Sequence, residues 1–205
     1  CTASLTSIFG NLTTVRYNVF RYATSGIVGS FTLVYGNRFE QVARNSIDPA
    51  LHENGMLNNA ACGAQVYNNL FKDTISGITL GLAEEINCTA YVFNNVFSNV
   101  TDTNQIDIEL PTPYGGCTPD ARGLCNGGNF IVLNNTIECG RDTAPAGDCI
   151  KANPPSSLSY VNQSVTARNH HFISSGTVFS CTATVCSNTN FVQQTKAQAN
   201  AQGYT

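Results

Sequence analysis

The sequence predicts an all-β chain wound as a right-handed parallel β-helix, a solenoid of about six to eight coils. Three observations predict it. One hexapeptide pattern recurs along the chain, a second short apolar strand follows each copy, and the composition is polar but almost uncharged.

The hexapeptides are Val15-Arg-Tyr-Asn-Val-Phe20, Val34-Tyr-Gly-Asn-Arg-Phe39, Val66-Tyr-Asn-Asn-Leu-Phe71, Val92-Phe-Asn-Asn-Val-Phe97, Val132-Leu-Asn-Asn-Thr-Ile137 and Ala167-Arg-Asn-His-His-Phe172. Aligned, they give a column of Val15, Val34, Val66, Val92, Val132 and Ala167. A second column holds Asn18, Asn37, Asn69, Asn95, Asn135 and His170, and a third holds Phe20, Phe39, Phe71, Phe97, Ile137 and Phe172. The apolar columns are expected to point inward and to stack at the parallel-strand spacing of roughly 4.8 Å. Each buried Phe then contributes about 1.5–3 kcal/mol. The Asn column fits a turn ladder, because Asn tolerates left-handed backbone and its amide can bond to the amide one coil away.

The second strand begins near Ile27, Ile47, Ile78, Ile106, Ile150 and Val178, mostly about seven or eight residues after the aromatic column. Strand, polar turn and strand, repeated, is what one coil of a solenoid requires. Intervals between the Val positions are uneven, so insertions are expected near 41–61, 110–128 and 139–164. The solenoid is assigned to 1–190. Residues 191–205 form a capping or linking segment, in which the Gln- and Ala-rich stretch 191–201 suits a short helix.

Composition narrows the function classes. Charged residues make up 11% of the 205 and the formal net charge is −3, which argues against a nucleic-acid surface. No apolar run reaches the roughly 18 residues that a membrane span needs. Nine cysteines point to an oxidising compartment. They show no CxxC pair and no Cys/His spacing of the zinc type, so neither metal nor cofactor is expected.

Cys62 and Cys88 each precede a Val-column member by four residues and so should lie on successive coils, within disulfide reach. Sequence proximity pairs Cys117 with Cys125, Cys139 with Cys149, and Cys181 with Cys186, leaving Cys1 over. Sequons stand at Asn11, Asn87, Asn99, Asn134 and Asn162. Together these features predict secretion, to the extracellular space or a cell surface.

The phrases VYNNLFKDTISGITLGLA, AYVFNNVFSN and NFIVLNNTIE resemble the right-handed parallel β-helix repeat proteins exported by bacteria. That superfamily includes pectate lyases, polygalacturonases and tailspike-like proteins. The tail NFVQQTKAQANAQGYT resembles a segment found late in some of them. The resemblance covers nearly the whole chain and implies the fold. For activity it implies a polysaccharide lyase or hydrolase only in part, since the dense acidic clusters of those enzymes are missing here.

The second-strand column yields one candidate site. The residues following its inward positions are Val28, Asp48, Thr79, Asp107, Lys151 and Phe179. In that line Asp107 and Lys151 are neighbours, Glu109 shares the face of Asp107, and Asp48 is two coils from Asp107 at roughly 10 Å. Carboxylates at about 6.5–9.5 Å serve inverting glycosidases as acid and base. A Lys beside a carboxylate can instead hold a uronate or, with a lowered pKa, act as a base. An exposed Asp–Lys pair is more often a surface contact worth about 0–1 kcal/mol. His52 with Glu53 reads as a solvated loop pair. His170 and His171 lack the GxSxG elbow that a hydrolase triad would need.

The leading expectation is an extracellular structural or adhesive β-helix that self-assembles end to end into filaments, its partner being itself or another β-helix chain. A weakly capped solenoid is also explained by truncation from a longer chain. The alternative is a carbohydrate-active β-helix, a polysaccharide lyase or inverting hydrolase, using Asp48, Asp107, Glu109 and Lys151.

Overall fold

The computed structural model describes residues 6–42, 54–58, 62–74, 76–81, 88–99, 106–109, 124–126, 128–139, 148–152, 159–161, 164–183 and 185–204. Every strand pairing among them is parallel and joins one coil to the next, which makes the chain a parallel β-solenoid. Two long strands open it, β1 (Thr6–Arg16) and β3 (Ser25–Tyr35), followed respectively by β2 (Val19–Arg21) and β4 (Arg38–Glu40). From the third coil the long strand divides in two.

Its first half continues as β5 (Asn54–Asn58), β8 (Ser76–Gly81), β11 (Ile106–Glu109), β15 (Ile150–Ala152) and β19 (Phe179–Cys181). Its second half continues as β6 (Gln65–Tyr67), β9 (Thr89–Phe93), β13 (Asn129–Leu133), β17 (Ser164–Arg168) and β20 (Val185–Thr189). A seven-stranded sheet completes the wall: β2, β4, then β7 (Leu70–Lys72), β10 (Val96–Ser98), β14 (Thr136–Glu138), β18 (His171–Ile173) and β21 (Val192–Gln194). The described residues therefore trace seven coils. Strands β12 (Leu124–Asn126) and β16 (Ser159–Val161) pair with each other, so the insertions of the fifth and sixth coils form a small sheet of their own.

In the two undivided strands one corner is made by glycine. Gly10 and Gly29 pair in register at φ +142° and +149°, and a Cβ on Gly29 would lie 1.8 Å from the Gly10 carbonyl oxygen. Only glycine bends a strand this way. In the next coil Asn58 holds the same position, its buried amide donating to the Phe31 carbonyl at 2.8 Å.

Each wall sends one apolar column inward. Val15, Val34, Val66, Val92, Val132 and Ala167 are in register and buried. Phe20, Phe39, Phe71, Phe97, Ile137 and Phe172 form the second column, with the first three ring pairs stacked at 4.8, 4.6 and 4.8 Å between centroids. The third column differs at two places from the sequence expectation. Met56, not Ile47, pairs with Ile27 and Ile78, and Phe179, not Val178, pairs with Ile150. A longer excursion follows Phe39 than the regular lag allows, and Ile47 lies outside the described residues.

The tight turn after the Val column uses two residues where one was expected. The left-handed residue is the one before the Asn column: Tyr17, Gly36, Asn68, Asn94, Asn134, Asn169 and Asn190 all have φ between +53° and +65°. The Asn column proper makes the amide ladder. Side-chain amides donate from Asn18 to Asn37 at 3.2 Å, Asn37 to Asn69 at 3.0 Å, Asn69 to Asn95 at 3.0 Å, and Asn95 to Asn135 at 3.1 Å. Each Oδ1 so reached also accepts the backbone N–H of the donor residue. From Asn37 to Asn135 the same amides also donate to Val-column carbonyls of the preceding coil, so the ladder is buried and satisfied.

The solenoid strands run to Gln194, further than the boundary at 190 expected from sequence, and a helix α1 (Lys196–Ala201) follows. Thr195 and Gln198 form a capping box at its start. Lys196 pairs with Glu138 at 2.5 Å, and the Tyr204 ring meets His171 at 4.9 Å. The helix thus returns toward the flank of β14 and β18.

Candidate functional site

The outer line of the first wall reads Val28, Leu57, Thr79, Asp107, Lys151 and Ser180 in strand register. Asp107 and Lys151 are direct neighbours on β11 and β15, and Glu109 lies opposite Gly81 on β8. The slot expected for Asp48 is filled by Leu57, because the second-strand member of that coil is Met56; Asp48 itself lies outside the described residues. Phe179 moves into the inward column and Ser180 takes its place. Lys151 is half-buried, and the neighbouring Thr79 is buried with its hydroxyl donating to Asn54 Oδ1 at 3.1 Å. In backbone register the line sets position 107 beside Lys151 and puts Leu57 two coils from position 107.

A feature that the sequence reading missed lies on the outer face of the second wall. The residue after each Val-column member points outward, giving Arg16, Tyr35, Tyr67, Phe93, Leu133 and Arg168. Tyr35, Tyr67 and Phe93 stack at 4.9 and 4.8 Å with planes within 5° of parallel, and Tyr17 meets Tyr35 edge-on at 5.4 Å. Arg16 closes one end by donating to the Tyr35 hydroxyl at 3.0 Å. On the neighbouring outward positions stand Leu33, Tyr91 and Ile131. The result is a half-exposed apolar strip along the solenoid axis. Its signal was present in the sequence as an aromatic or Leu following the Val at positions 35, 67, 93 and 133.

The opposite flank is charged and self-neutralising. Arg21 and Arg38 both bind Glu40, and their guanidiniums hold its carboxyl below the usual range. At the second turn Asp73 and Asn99 both adopt left-handed backbone, and the Asn99 amide donates to the Asp73 carboxylate. Glu138 accepts the Asn99 N–H at 2.8 Å and the Lys196 ammonium. Among the described residues no three His, Cys, Asp or Glu side chains gather in a way that would hold a metal ion.

Disulfides join Cys62 to Cys88, Cys139 to Cys149, and Cys181 to Cys186, which indicates an oxidising environment. The first ties the third coil to the fourth and the second the fifth to the sixth. Cys1 and Cys117 lie outside the described residues, and Cys125 is placed only by its backbone in β12. Of the sequon asparagines, Asn11, Asn99 and Asn134 are exposed, and Asn87 and Asn162 lie outside the described residues. No described helix is long and apolar enough to cross a membrane.

A comparison with protein-family models, with curated proteins and with solved structures finds no match to this chain. The reading of function therefore rests on the geometry above.

Proposed function

We propose that this chain is an exported β-solenoid, extracellular or displayed at a cell surface, with a structural or adhesive role, akin to the bacterial exported β-helix proteins it resembles. The observation that carries the reading is the strip of Tyr35, Tyr67 and Phe93. A contiguous, half-exposed apolar strip held on a rigid wall is characteristic of a surface that engages another surface. The coil-to-coil disulfides and the amide ladder support a body built to keep its shape outside the cell.

The test is adhesion of the purified chain to apolar beads and to a panel of insoluble polysaccharides, compared with the Tyr35→Ser/Tyr67→Ser variant. Retention is expected to fall at least about tenfold, a 1.4 kcal/mol change, with the circular dichroism spectrum of a folded solenoid preserved. Equal retention of variant and parent on every surface would rule the reading out.

The register of Asp107 with Lys151 favours a second reading, a carbohydrate-active site for acidic or neutral polysaccharide along the first wall. In it Lys151 neutralises a uronate or takes its proton, and Asp107 with Glu109 orients the sugar; Asp48 remains a candidate outside this line. Unsaturated-product and reducing-sugar assays test it, and activity undiminished by Asp107→Ala and Lys151→Ala would refute it.

A further inference from the structure

The buried amide ladder has an exposed counterpart. Asn68, Asn94, Asn134 and Asn169, the left-handed residues of the tight turn, share φ between +53° and +57°. Three of their N–H groups donate to carbonyls of the next coil: Asn68 to Phe93 at 3.4 Å, Asn94 to Leu133 at 3.1 Å and Asn134 to Arg168 at 3.0 Å. One backbone conformation, repeated in register, sends the four side chains out in the same direction, roughly 4.8 Å apart. All four are exposed, and among the described residues their carboxamides bond to nothing. Each keeps two N–H donors and an acceptor for a ligand. Every one of them stands on a coil with a described coil on either side.

This row of amides borders the second wall. Directly before each Asn stands Tyr67, Phe93, Leu133 or Arg168, and two residues earlier Gln65, Tyr91, Ile131 or Thr166. Tyr67 and Phe93 cover each other's faces in their stack. Tyr91 belongs to no ring pair among the described residues and is 37% exposed, so part of its ring is open. Gln65, its partner in register, is exposed with its amide also unengaged. On the third to fifth coils none of these outward positions carries a formal charge. The charges of the same coils stand on the third wall, as Lys72 and Glu138, with Arg38 and Glu40 one coil earlier.

We infer that this band binds a neutral polysaccharide chain lying along the solenoid axis, its sugar rings against Tyr91 and its hydroxyls on the amides of Gln65, Asn68, Asn94 and Asn134. A sugar polymer presents both apolar C–H faces and hydroxyls, the combination that the band offers. A charged polymer would be desolvated here with no opposite charge to meet it. A purely apolar partner would strip water from the amides and leave them unpaired. A peptide strand has no ladder to join, because the backbone of this wall is already paired with the coils on both sides. Repetition at the coil spacing suits a chain, since a single sugar would engage one or two coils and leave the other amides idle. The inference rests on the adhesive reading of the same wall and names the chemistry of what that wall holds.

The test is affinity electrophoresis of the full chain in native gels holding a soluble neutral β-glucan, xylan or galactomannan, with polygalacturonate as the acidic comparison. The parent should be retarded by at least one neutral polymer and run freely through polygalacturonate. Tyr91→Ala removes the open ring. Asn94→Asp sets a charge mid-row while keeping a residue that tolerates left-handed backbone. Each should weaken the retardation at least about tenfold, and Tyr91→Phe should retain it. Circular dichroism of the variants should match that of the parent, so that a loss reads the surface and not the fold. A parent retarded by no neutral polymer, equal retardation by polygalacturonate, or variants that migrate like the parent would each overturn the inference. Loss confined to Lys151→Ala would do so too, by moving the glycan to the first wall. Bead retention lost in Tyr35→Ser/Tyr67→Ser, with no glycan retarding the parent, would leave the adhesive reading standing and sink this one. Retardation that depends on Tyr91 and Asn94, with that double variant held like the parent on every surface, would do the reverse.

Discussion

At the scale of single residues, the first turn of each coil divides its labour between two neighbours. The leading one supplies left-handed backbone, and the next supplies a buried amide to the ladder. His170 is the exception in the second role. Its Nδ1 accepts the Asn135 N–H at 3.2 Å and its Nε2 meets the Val132 carbonyl at 3.1 Å, an arrangement that requires the neutral ring with its proton on Nε2. Burial pushes its pKa down from 6.5 to about 4.

The unfolded chain therefore binds a proton below about pH 6.5 that the folded chain refuses until about pH 4. Stability from this group is complete above pH 6.5, declines as pH falls through that window, and levels off below it. The loss amounts to about 3 kcal/mol. Urea melts at pH 7.5 and pH 4.5 should show it, and His170→Asn should flatten the difference between them; an equal acid sensitivity in the variant would exclude His170 as its source. The pattern Asn-Asn was plain in the sequence. What each Asn does was not, because two adjacent residues of one type give no hint of which takes the unusual backbone.

At the scale of elements, corners decide where strands begin. Gly26, Gly55 and Gly77 precede the inward residues Ile27, Met56 and Ile78, and they stack where the Phe column presses against the backbone. A Cβ at Gly26 would stand 2.3 Å from the Gly55 carbonyl oxygen and 2.7 Å from the Phe39 ring. Gly26→Ala is expected to cost about 2–3 kcal/mol, read as a lower denaturation midpoint, and a midpoint matching the parent would show that this corner yields more easily than its packing implies. The same glycines explain a misplacement in the sequence reading. Counting a regular lag from Phe39 selected Ile47, whereas Asn54-Gly55-Met56 repeats the Gly-apolar step of Ser25-Gly26-Ile27 and Ser76-Gly77-Ile78. Asp48 followed Ile47 into the candidate line, and Leu57 displaces it for the same reason.

At the scale of the whole molecule, each coil bonds to the coil before and the coil after, so stability accumulates one interface at a time. The architecture was legible because that arrangement writes itself into the sequence as columns: one Val, one Asn and one Phe per coil. The outer surface was much less legible. Outward positions obey no packing rule, and the Tyr35–Tyr67–Phe93 strip became meaningful only once register fixed which side of the wall it occupies. Among the cross-links, Cys62–Cys88 closes a separation of 26 residues between the third and fourth coils. Replacing both by Ser should lower stability by about 3–4 kcal/mol while leaving the β-sheet spectrum intact. An unchanged melting temperature would show that the amide ladder alone secures that junction.

The Cys62–Cys88 staple also sets how the molecule responds to force. A tether pulling on β1 loads one coil at a time, since among the described residues β1 and β2 pair only with β3 and β4. Peeling should proceed in discrete rips through the first and second coils, and the rip at the third and fourth should be shortened, because the covalent link carries tension past the stretch between Cys62 and Cys88. Reduced protein pulled the same way would release that stretch as well.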